Sequence, residues 1–132
     1  MDYKISIIRY LYYFSFIILL ILYLFPGSLI GYFLYGDFVR QPDFIPNPLG
    51  TSINHLLAFF YLSMLGLINH MRSKSFKKTL IFLIILSLLI ELSHLFIPNR
   101  SFQFLDLLSN LLGTLLAIVI VFLYKKFKNG KI

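Results

Sequence analysis

The sequence predicts an all-α fold, an integral membrane bundle of four transmembrane helices. Of its 132 residues, 59% are hydrophobic and only 13% are charged, whereas a soluble domain is about half apolar and about a quarter charged. Four long apolar runs are separated by short segments with prolines, glycines or basic residues. The basic residues flank these runs, as they do at the ends of membrane-spanning helices. These observations predict a single transmembrane domain over residues 1–132.

The composition also excludes several classes of function. The chain has no cysteine, which excludes a disulfide framework, a thiolate metal site and a cysteine nucleophile. Its net charge of +7 does not predict nucleic-acid binding, because the cations flank apolar runs rather than covering a polar face. The sequence contains no glycine-rich phosphate loop and no nucleophile elbow. We expect no cofactor and no nucleic-acid partner.

The first helix is predicted at residues 5–25. This run is long enough to cross a hydrocarbon core of about 30 Å at about 1.5 Å per residue, and Pro26 and Gly27 end it. The cations at its start, Lys4 and Arg9, resemble those of a signal peptide. However, the run is longer than a signal-peptide core, and no small-residue cleavage site follows. We therefore expect an uncleaved first helix.

Residues 28–52 contain Pro42, Pro46 and Pro48, and prolines argue against a membrane-spanning helix. The segment is also rich in aromatic residues, which favour the membrane–water interface; these are Tyr32, Phe33, Tyr35, Phe38 and Phe44. We expect an interfacial or shallow re-entrant loop, with a solvated loop as the alternative.

The other three helices are predicted at residues 53–69, 79–96 and 104–124. The first of them is short for a span and should tilt little. The basic linker 70–78 follows it. Pro98 ends the next helix, because proline lacks a backbone donor and clashes with the preceding turn. A tight connection then leads to the last helix.

The distribution of cations predicts that both chain ends lie in the cytoplasm. With the N-terminus inside, the cytoplasmic side carries 10 of the 12 Lys and Arg residues and the outer side carries 2, as the positive-inside rule requires. The inner set is Lys4, Arg9, Arg72, Lys74, Lys77, Lys78, Lys125, Lys126, Lys128 and Lys131, and the outer set is Arg40 and Arg100. We expect an N-in, C-in, multi-pass protein of a bacterial plasma membrane.

Six polar residues are predicted to meet at the outer ends of the second, third and fourth helices. They are His55, Glu91, His94, Arg100, Asp106 and Asn110. Glu91 and His94 are spaced i, i+3 and share one helix face. Asp106 and Asn110 are spaced i, i+4 and share another. A carboxylate inside a span is costly unless it faces a partner or water. We therefore expect an outward-facing ligand-binding site, in which Arg100 pairs with one of the carboxylates.

Most of these residues also have a structural explanation. Asp106 is favoured at the positive end of a helix. Asn110 can hydrogen-bond a neighbouring helix, and His55 can lie at the membrane interface. Glu91 is harder to explain in this way, because it lies deeper in its helix. If the protein is an enzyme, Glu91 and Asp106 are the candidate catalytic residues.

A metal site is the weaker alternative. The chain has one Glu-x-x-His sequence, at Glu91 and His94, and this argues against a di-iron centre, which uses two such motifs. These two residues could bind a single zinc ion with one further ligand. That ligand would be His55 or Asp106. We nevertheless expect no metal.

The segment from Glu91 to Gly113 reads E-x-x-H-x-F-x-P-x-R-S-F-x-x-x-D-x-x-x-N-x-x-G. It resembles the signature of VanZ-like membrane proteins, E-x-x-Q-x-x-x-P-x-R-x-x-x-x-x-D-x-x-x-N-x-x-G, which joins the last two helices of that family. The matching residues are Glu91, Pro98, Arg100, Asp106, Asn110 and Gly113. Upstream, "NHLLAFFYLSMLG" resembles the family's second helix, with His55 in the place of its histidine.

The chain departs from the family pattern at several positions. His94 replaces the usual glutamine, which argues against an obligatory metal ligand there. Thr51 and Ser52 stand where an acid and a lysine often precede the histidine. Ala117 replaces a second glycine. Together with Gly113, it should still let a neighbouring helix approach closely, because both residues are small.

The resemblance implies an envelope protein that lowers susceptibility to lipoglycopeptide antibiotics such as teicoplanin, in the membrane of a Gram-positive bacterium. Its partners would be membrane lipids, a cell-wall precursor or the antibiotic itself. The alternative is an intramembrane enzyme that acts on a phosphate-bearing lipid or cell-wall precursor carrier. Arg100 and Arg40 would then bind the phosphate. A transporter is disfavoured, because the sequence shows no repeat.

Overall fold

The computed structural model describes residues 3–42, 45 and 50–128, and all regular structure in these ranges is helical. The helices are α1 (Tyr3–Leu24), α2 (Leu29–Tyr35), α3 (Ser52–Asn69), α4 (Phe76–Ser93) and α5 (Phe104–Lys128). The predicted all-α fold is confirmed for the described ranges. The four predicted helices correspond to α1, α3, α4 and α5. Lys131 of the predicted inner set and Phe44 of the predicted interfacial loop lie outside the described residues.

Three of the described helices, not four, are long and apolar enough to cross a membrane. The candidate spans are Ile7–Leu24, Ser52–Asn69 and Phe104–Lys128. The prediction of a further span at 79–96 is wrong, because α4 begins earlier and ends at Ser93. Its 18 residues include Lys77, Lys78 and Glu91, so no window of span length in α4 avoids these charges, whereas the charged residues of α5 lie near the ends of its 25 residues. Beyond Ser93, the chain continues to Phe96 in a tighter turn with i to i+3 backbone hydrogen bonds.

Helix α2 lies within the segment that was predicted to be a loop. Its start is capped by Ser28, whose side chain accepts a hydrogen bond from the Gly31 backbone. Its end is capped by Gly36, which adopts a left-handed conformation with φ of 71° and donates to the Tyr32 carbonyl. Only seven residues separate these two caps, so α2 is far too short to span a membrane.

The contacts between the long helices show which of their ends meet. The ring of Tyr23, near the end of α1, lies 4.9 Å from the ring of His55, near the start of α3. Ser52, at the start of α3, donates a hydrogen bond to Asp106 in the first turn of α5. Glu91, near the end of α4, lies 3.7 Å from His55. We call this the site end of the bundle, formed by the last turns of α1 and α4 and the first turns of α3 and α5.

The opposite end of the bundle carries most of the described cations. The ring of Tyr12 in α1 lies 6.1 Å from the ring of His70, which follows α3. Lys125 of α5 lies 3.8 Å from the centre of the Phe76 ring at the start of α4. We call this the basic end, after Arg72, Lys74, Lys77, Lys78, Lys125, Lys126 and Lys128. The first turns of α1 and the last turns of α5 therefore lie at the same end.

The bundle encloses many polar side chains and exposes many apolar ones. Fully buried polar residues are Ser63, Ser87, Glu91, Asn110 and Thr114. Large apolar side chains cover the outside of α1, α4 and α5, among them Phe14, Ile85, Leu89, Leu112 and Phe122. Such an extensive apolar surface is suited to lipid rather than to water.

Helices α3 and α5 approach one another closely at Gly113. A Cβ atom at this position would collide with the backbone carbonyl of Leu56, so only glycine permits the observed spacing. Ala117 is fully buried one turn later. Ser63 of α3 donates a hydrogen bond of 3.2 Å to Thr114 of α5. The predicted close approach of a helix to Gly113 and Ala117 is confirmed.

We expect Gly113→Ala to lower the free energy of unfolding by about 1–3 kcal/mol, because the added methyl group forces two backbones apart. Gly66→Ala is the matched control. It makes the same change inside α3, but its Cβ would meet the edge of the Tyr12 ring at 2.8 Å, and a side chain can rotate away. Denaturant unfolding in detergent measures both effects. Equal losses would contradict a special role for the contact between Gly113 and Leu56.

Candidate functional site

Five of the six predicted site residues lie together at the site end. They are His55 on α3, Glu91 on α4, His94 just after α4, and Asp106 and Asn110 on α5. Each is less than 10% exposed, and Glu91 and Asn110 are completely buried. The i, i+3 and i, i+4 spacings predicted that these side chains share helix faces. Helix packing then brings the faces into contact.

Asp106 connects α5 to α3. It lies in the first turn of α5, where the positive end of the helix favours a carboxylate. Its Oδ1 accepts a hydrogen bond from the Ser52 hydroxyl, and its Oδ2 lies 3.4 Å from His55 Nε2. Ser52 and His55 are one turn apart on α3 and therefore contact the two oxygens of one carboxylate.

His55 is the centre of the cluster, because its ring contacts groups from three other helices. Its Nδ1 lies 3.2 Å from Asn110 Oδ1 and 3.7 Å from Glu91 Oε2. Its Nε2 faces Asp106. The ring of Tyr23 on α1 packs edge-on against the imidazole at 4.9 Å. These contacts therefore hold the plane of the His55 ring in place.

Glu91 uses one carboxylate oxygen for hydrogen bonds and presents the other to His55. Oε1 accepts from the backbone N–H of Gln103 at 3.0 Å and lies 3.3 Å from His94 Nδ1. Oε2 is buried, and no described protein group forms a hydrogen bond with it. A buried carboxylate oxygen without a donor is costly, which makes Oε2 the chemically unsatisfied atom of the site.

His94 is held between Glu91 and α1. Its Nε2 lies 3.0 Å from the backbone carbonyl oxygen of Tyr23, and its ring stacks on the Tyr23 ring with centroids 6.3 Å apart. Both ring nitrogens face acceptors, so both contacts are hydrogen bonds only when the ring carries two protons. In that state His94 supplies the positive charge beside Glu91.

Arg100 does not pair with a carboxylate in the described part of the chain, and the predicted pairing with Glu91 or Asp106 is wrong. Its guanidinium instead donates to the backbone carbonyls of Leu22 and Phe25 at the end of α1. Cations are favoured at this position, because the last carbonyls of a helix lack partners and carry partial negative charge. Burial lowers the pKa of Arg100, and the nearby Glu91 opposes this change. Arg100 stays charged, because arginine starts from a very high pKa.

A cavity of about 300 Å³ opens beside the cluster between α1, α2 and α3. Of the six predicted site residues, His55 and Arg100 line it. The other polar groups on its wall are those of Ser28, Gln41 and Asn54. Glu91 and Asp106 lie behind His55 and do not line the cavity, so His55 is the residue through which they can act on a ligand.

The cavity continues in two directions of opposite polarity. Towards the site-end surface lies a polar depression of about 400 Å³, which shares Gln41 and Arg100 with the cavity. Along the bundle lies an apolar groove of about 270 Å³ between α1 and α3, which shares Leu22, Tyr23 and Ala58 with it. The three spaces therefore adjoin one another through shared wall residues.

Sequence reasoning missed three contributors to the site. Ser52 precedes His55 by three residues, and this spacing could have indicated its contact with Asp106. Tyr23 carries no signal that distinguishes it from the other tyrosines of the chain. Gln103 contributes only its backbone N–H, and the identity of a residue does not indicate which contacts its backbone makes.

Three side chains of the cluster could hold a metal ion. One ligand atom from each of His55, Glu91 and Asp106 lies within 4.8 Å of the others. His94 does not belong to this set, because its two nitrogens contact Glu91 Oε1 and the Tyr23 carbonyl. The His94 side chain therefore contacts Glu91 without belonging to the set of three potential ligands.

The family model of VanZ/LLP1 matches residues 10–125. The chain belongs to the VanZ/LLP1 family. Neither the curated proteins nor the solved structures give a significant match to it. The family match and the three candidate spans together identify a membrane protein. In this VanZ/LLP1 protein, four of the residues that carried the resemblance form the cluster, namely His55, Glu91, Asp106 and Asn110. Gly113 forms the close contact that holds α5 against α3.

We expect His94→Gln, which introduces the residue usual in the family, to keep most of the stability of the fold, because an amide can still donate to Glu91. His94→Leu is the matched variant without a donor. It should cost about 1.5–3 kcal/mol, because a hydrogen bond to a charged group is lost. Thermal unfolding in detergent distinguishes them. If His94→Leu is as stable as His94→Gln, the contact with Glu91 does not hold the site together.

Proposed function

We propose that this protein binds the polar headgroup of a membrane-embedded envelope molecule at the site end. Through this binding it lowers the susceptibility of a bacterium to teicoplanin-type lipoglycopeptides. The observation that carries the proposal is the continuity between a polar cavity, lined by His55 and Arg100, and an apolar groove between α1 and α3. A ligand that fits both spaces has a polar head and an apolar chain.

The dimensions of the groove support a lipid ligand. On α1 it extends from Leu11 to Tyr23, which corresponds to about 18 Å at about 1.5 Å per residue. This is roughly half the thickness of a hydrocarbon core of about 30 Å, the depth of one leaflet. Leu11, Phe14 and Ile18 on its wall are also exposed on the outside of the bundle. A lipid chain can therefore enter sideways from the membrane.

The charges of the cavity favour an anionic headgroup. Arg100 lines both the cavity and the polar depression, and two carbonyl groups hold its guanidinium in place. A fixed guanidinium is well suited to a phosphate or carboxylate, because its N–H groups form a planar array of donors. A lipid phosphate or a cell-wall precursor carrier has this chemistry.

An intramembrane enzyme is the second candidate, and the position of His55 favours it. His55 faces the cavity, while Glu91 and Asp106 contact its two ring nitrogens from behind. Carboxylates in such positions stabilise an imidazolium, so His55 would act as general base if its ring turned one nitrogen from a carboxylate to the bound substrate. In this candidate, His55 takes the role that the sequence assigned to the carboxylates.

We further propose that the basic end is cytoplasmic and that the site end faces outward. Both the start of α1 and the end of α5 lie at the basic end, which collects the cations that the positive-inside rule places in the cytoplasm. In this orientation α4, which is not one of the three candidate spans, returns the chain from the basic end to the site end, and both chain ends are cytoplasmic, as expected from the sequence. The ligand would then be taken from the outer leaflet, where lipoglycopeptides act on cell-wall precursors.

The orientation can be tested with single cysteines, because the chain has none of its own. Ser101→Cys, at the exposed site end, should react with a membrane-impermeant maleimide in intact cells. Ser73→Cys, exposed at the basic end, should react only after the cells are permeabilised. The reverse pattern would place the site in the cytoplasm and remove the proposed access to the outer leaflet.

The function can be tested by expressing the protein in a susceptible Gram-positive host and measuring teicoplanin and vancomycin inhibitory concentrations. We expect the wild type to protect against teicoplanin. Asp106→Asn, Asn110→Ala and Arg100→Ala should return the host to the empty-vector level. Ala58→Phe should do the same, because it blocks the junction of cavity and groove.

Matched controls are Ile120→Phe on the lipid-facing surface and Asp37→Asn in the exposed loop, and both should retain protection. Lipids extracted from the same strains separate the two candidates. If the wild type converts a phosphate-bearing lipid and Glu91→Gln does not, the enzyme is favoured. Unchanged lipids with protection lost in the site variants would favour binding alone. A folded wild type without any protection would refute the resistance function.

A further inference from the structure

The three potential ligands share one arrangement. Each of His55, Glu91 and Asp106 uses one atom for a protein hydrogen bond, and one potential ligand atom of each lies within 4.8 Å of the others. The atoms left without such a bond are His55 Nε2, Glu91 Oε2 and Asp106 Oδ2, and each belongs to a different helix of the bundle. Such an arrangement differs from a chance cluster of acids, because every member is oriented by a separate partner.

The partners that orient the three side chains resemble the outer shell of a metal site. Asn110 Oδ1 accepts from His55 Nδ1, which leaves the lone pair of Nε2 free. Ser52 occupies Asp106 Oδ1. The backbone of Gln103 and the ring of His94 occupy Glu91 Oε1. Metal-binding histidines and carboxylates are oriented by hydrogen bonds of this kind.

The inward-facing atoms lack a donor that would join them. His55 Nε2 and Asp106 Oδ2 are 3.4 Å apart, and with Nδ1 donating to Asn110 both carry lone pairs. Glu91 Oε2 is fully buried and has no hydrogen-bond partner among the described groups. Electron pairs that face one another in a buried site repel unless a positive charge lies between them.

We propose that His55, Glu91 and Asp106 form a binding site for a divalent transition-metal cation of the zinc type. The three ligands supply one nitrogen and two oxygens, and two carboxylates balance the charge of the ion. At metal–ligand distances of about 2.0–2.2 Å, two ligands of a tetrahedral ion are roughly 3.4 Å apart, which matches the 3.4 Å between Nε2 and Oδ2. Glu91 Oε2 lies 3.7 Å from His55 Nδ1 and would complete the set after a small shift, since one ligand atom of each residue already lies within 4.8 Å of the others.

The ion would lie behind His55, whose ring separates it from the cavity, and the three side chains would leave its fourth position open. Three protein ligands with one open position are typical of catalytic zinc sites, whereas structural sites are closed by four. The imidazole selects against magnesium and calcium, which prefer shells of oxygen ligands. This proposal departs from the sequence expectation of no metal and replaces the suggested ligand His94 by Asp106.

The test measures zinc in the purified full-length protein, first stripped with chelator, then equilibrated with zinc sulfate and freed of unbound ion. We expect one zinc per chain by mass spectrometry of the elements, unaffected by excess magnesium. His55→Ala, Glu91→Gln and Asp106→Asn should lose it. Ser52→Ala should weaken zinc binding by roughly 10–100-fold, as the loss of an outer-shell partner does.

Matched controls make the same changes elsewhere in the chain. His70→Ala removes the histidine at the basic end, and Asp37→Asn removes an exposed loop carboxylate. Both should bind zinc like the wild type. Zinc should also raise the unfolding temperature of the wild type and of both controls, because an ion that binds only the folded state stabilises it. Ligand variants that are folded, as judged by circular dichroism, should show no such rise.

Two results would overturn the metal site. One is a folded wild type that retains no zinc at saturating concentration, in which case a proton on His55 joins the two carboxylates. The other is equal zinc binding by the ligand variants and the controls, which would indicate adventitious surface binding. Neither readout uses lipid or antibiotic, so failure of the metal site is distinguishable from failure of the proposed function.

Discussion

The carboxylates of Glu91 and Asp106 lie inside a bundle whose outside is apolar. The contacts at the site end offset the free-energy cost of burying them. A charged side chain at the centre of a membrane helix costs about 2.5–3.5 kcal/mol on insertion scales, and an unpaired one in a protein interior costs more. Glu91 and Asp106 are both almost completely buried. Each receives donors from a neighbouring element, Glu91 from Gln103 and Asp106 from Ser52. The site end is therefore held together by polar contacts, in surroundings where apolar packing alone gives little specificity.

This constraint explains why α3 and α5 must approach so closely. The contact between Ser52 and Asp106 and that between His55 and Asn110 both cross from one helix to the other. Hydrogen bonds tolerate only small changes in distance. Gly113, less than a turn beyond Asn110, allows the backbones to meet. The small residues in the interface therefore set the helix spacing that the hydrogen bonds between the polar residues at its end require.

The sequence predicted those parts of the molecule that depend on local pattern. Apolar runs located α1, α3 and α5, and i, i+3 and i, i+4 spacings grouped the site residues correctly. Helix α4 was placed three residues late, because Lys77 and Lys78 were assigned to the linker. Lysine has good helix propensity, and the helix begins earlier because Phe76 is buried, packing at 5.8 Å against Phe122 of α5.

Other features depended on contacts that residue types do not reveal. Arg100 was expected to seek a carboxylate, but its partners are backbone carbonyls at the end of α1, and every helix end offers such acceptors. Helix α2 has the cap residues Ser28 and Gly36 at its ends, but the prolines that follow it in the segment 28–52 favoured a loop. The role of Tyr23 arises only from the packing of α1 beside both histidines. The contacts of Arg100 and Tyr23 hold the end of α1 at the site end. Because α1 forms one wall of the cavity, these contacts fix the position of that wall.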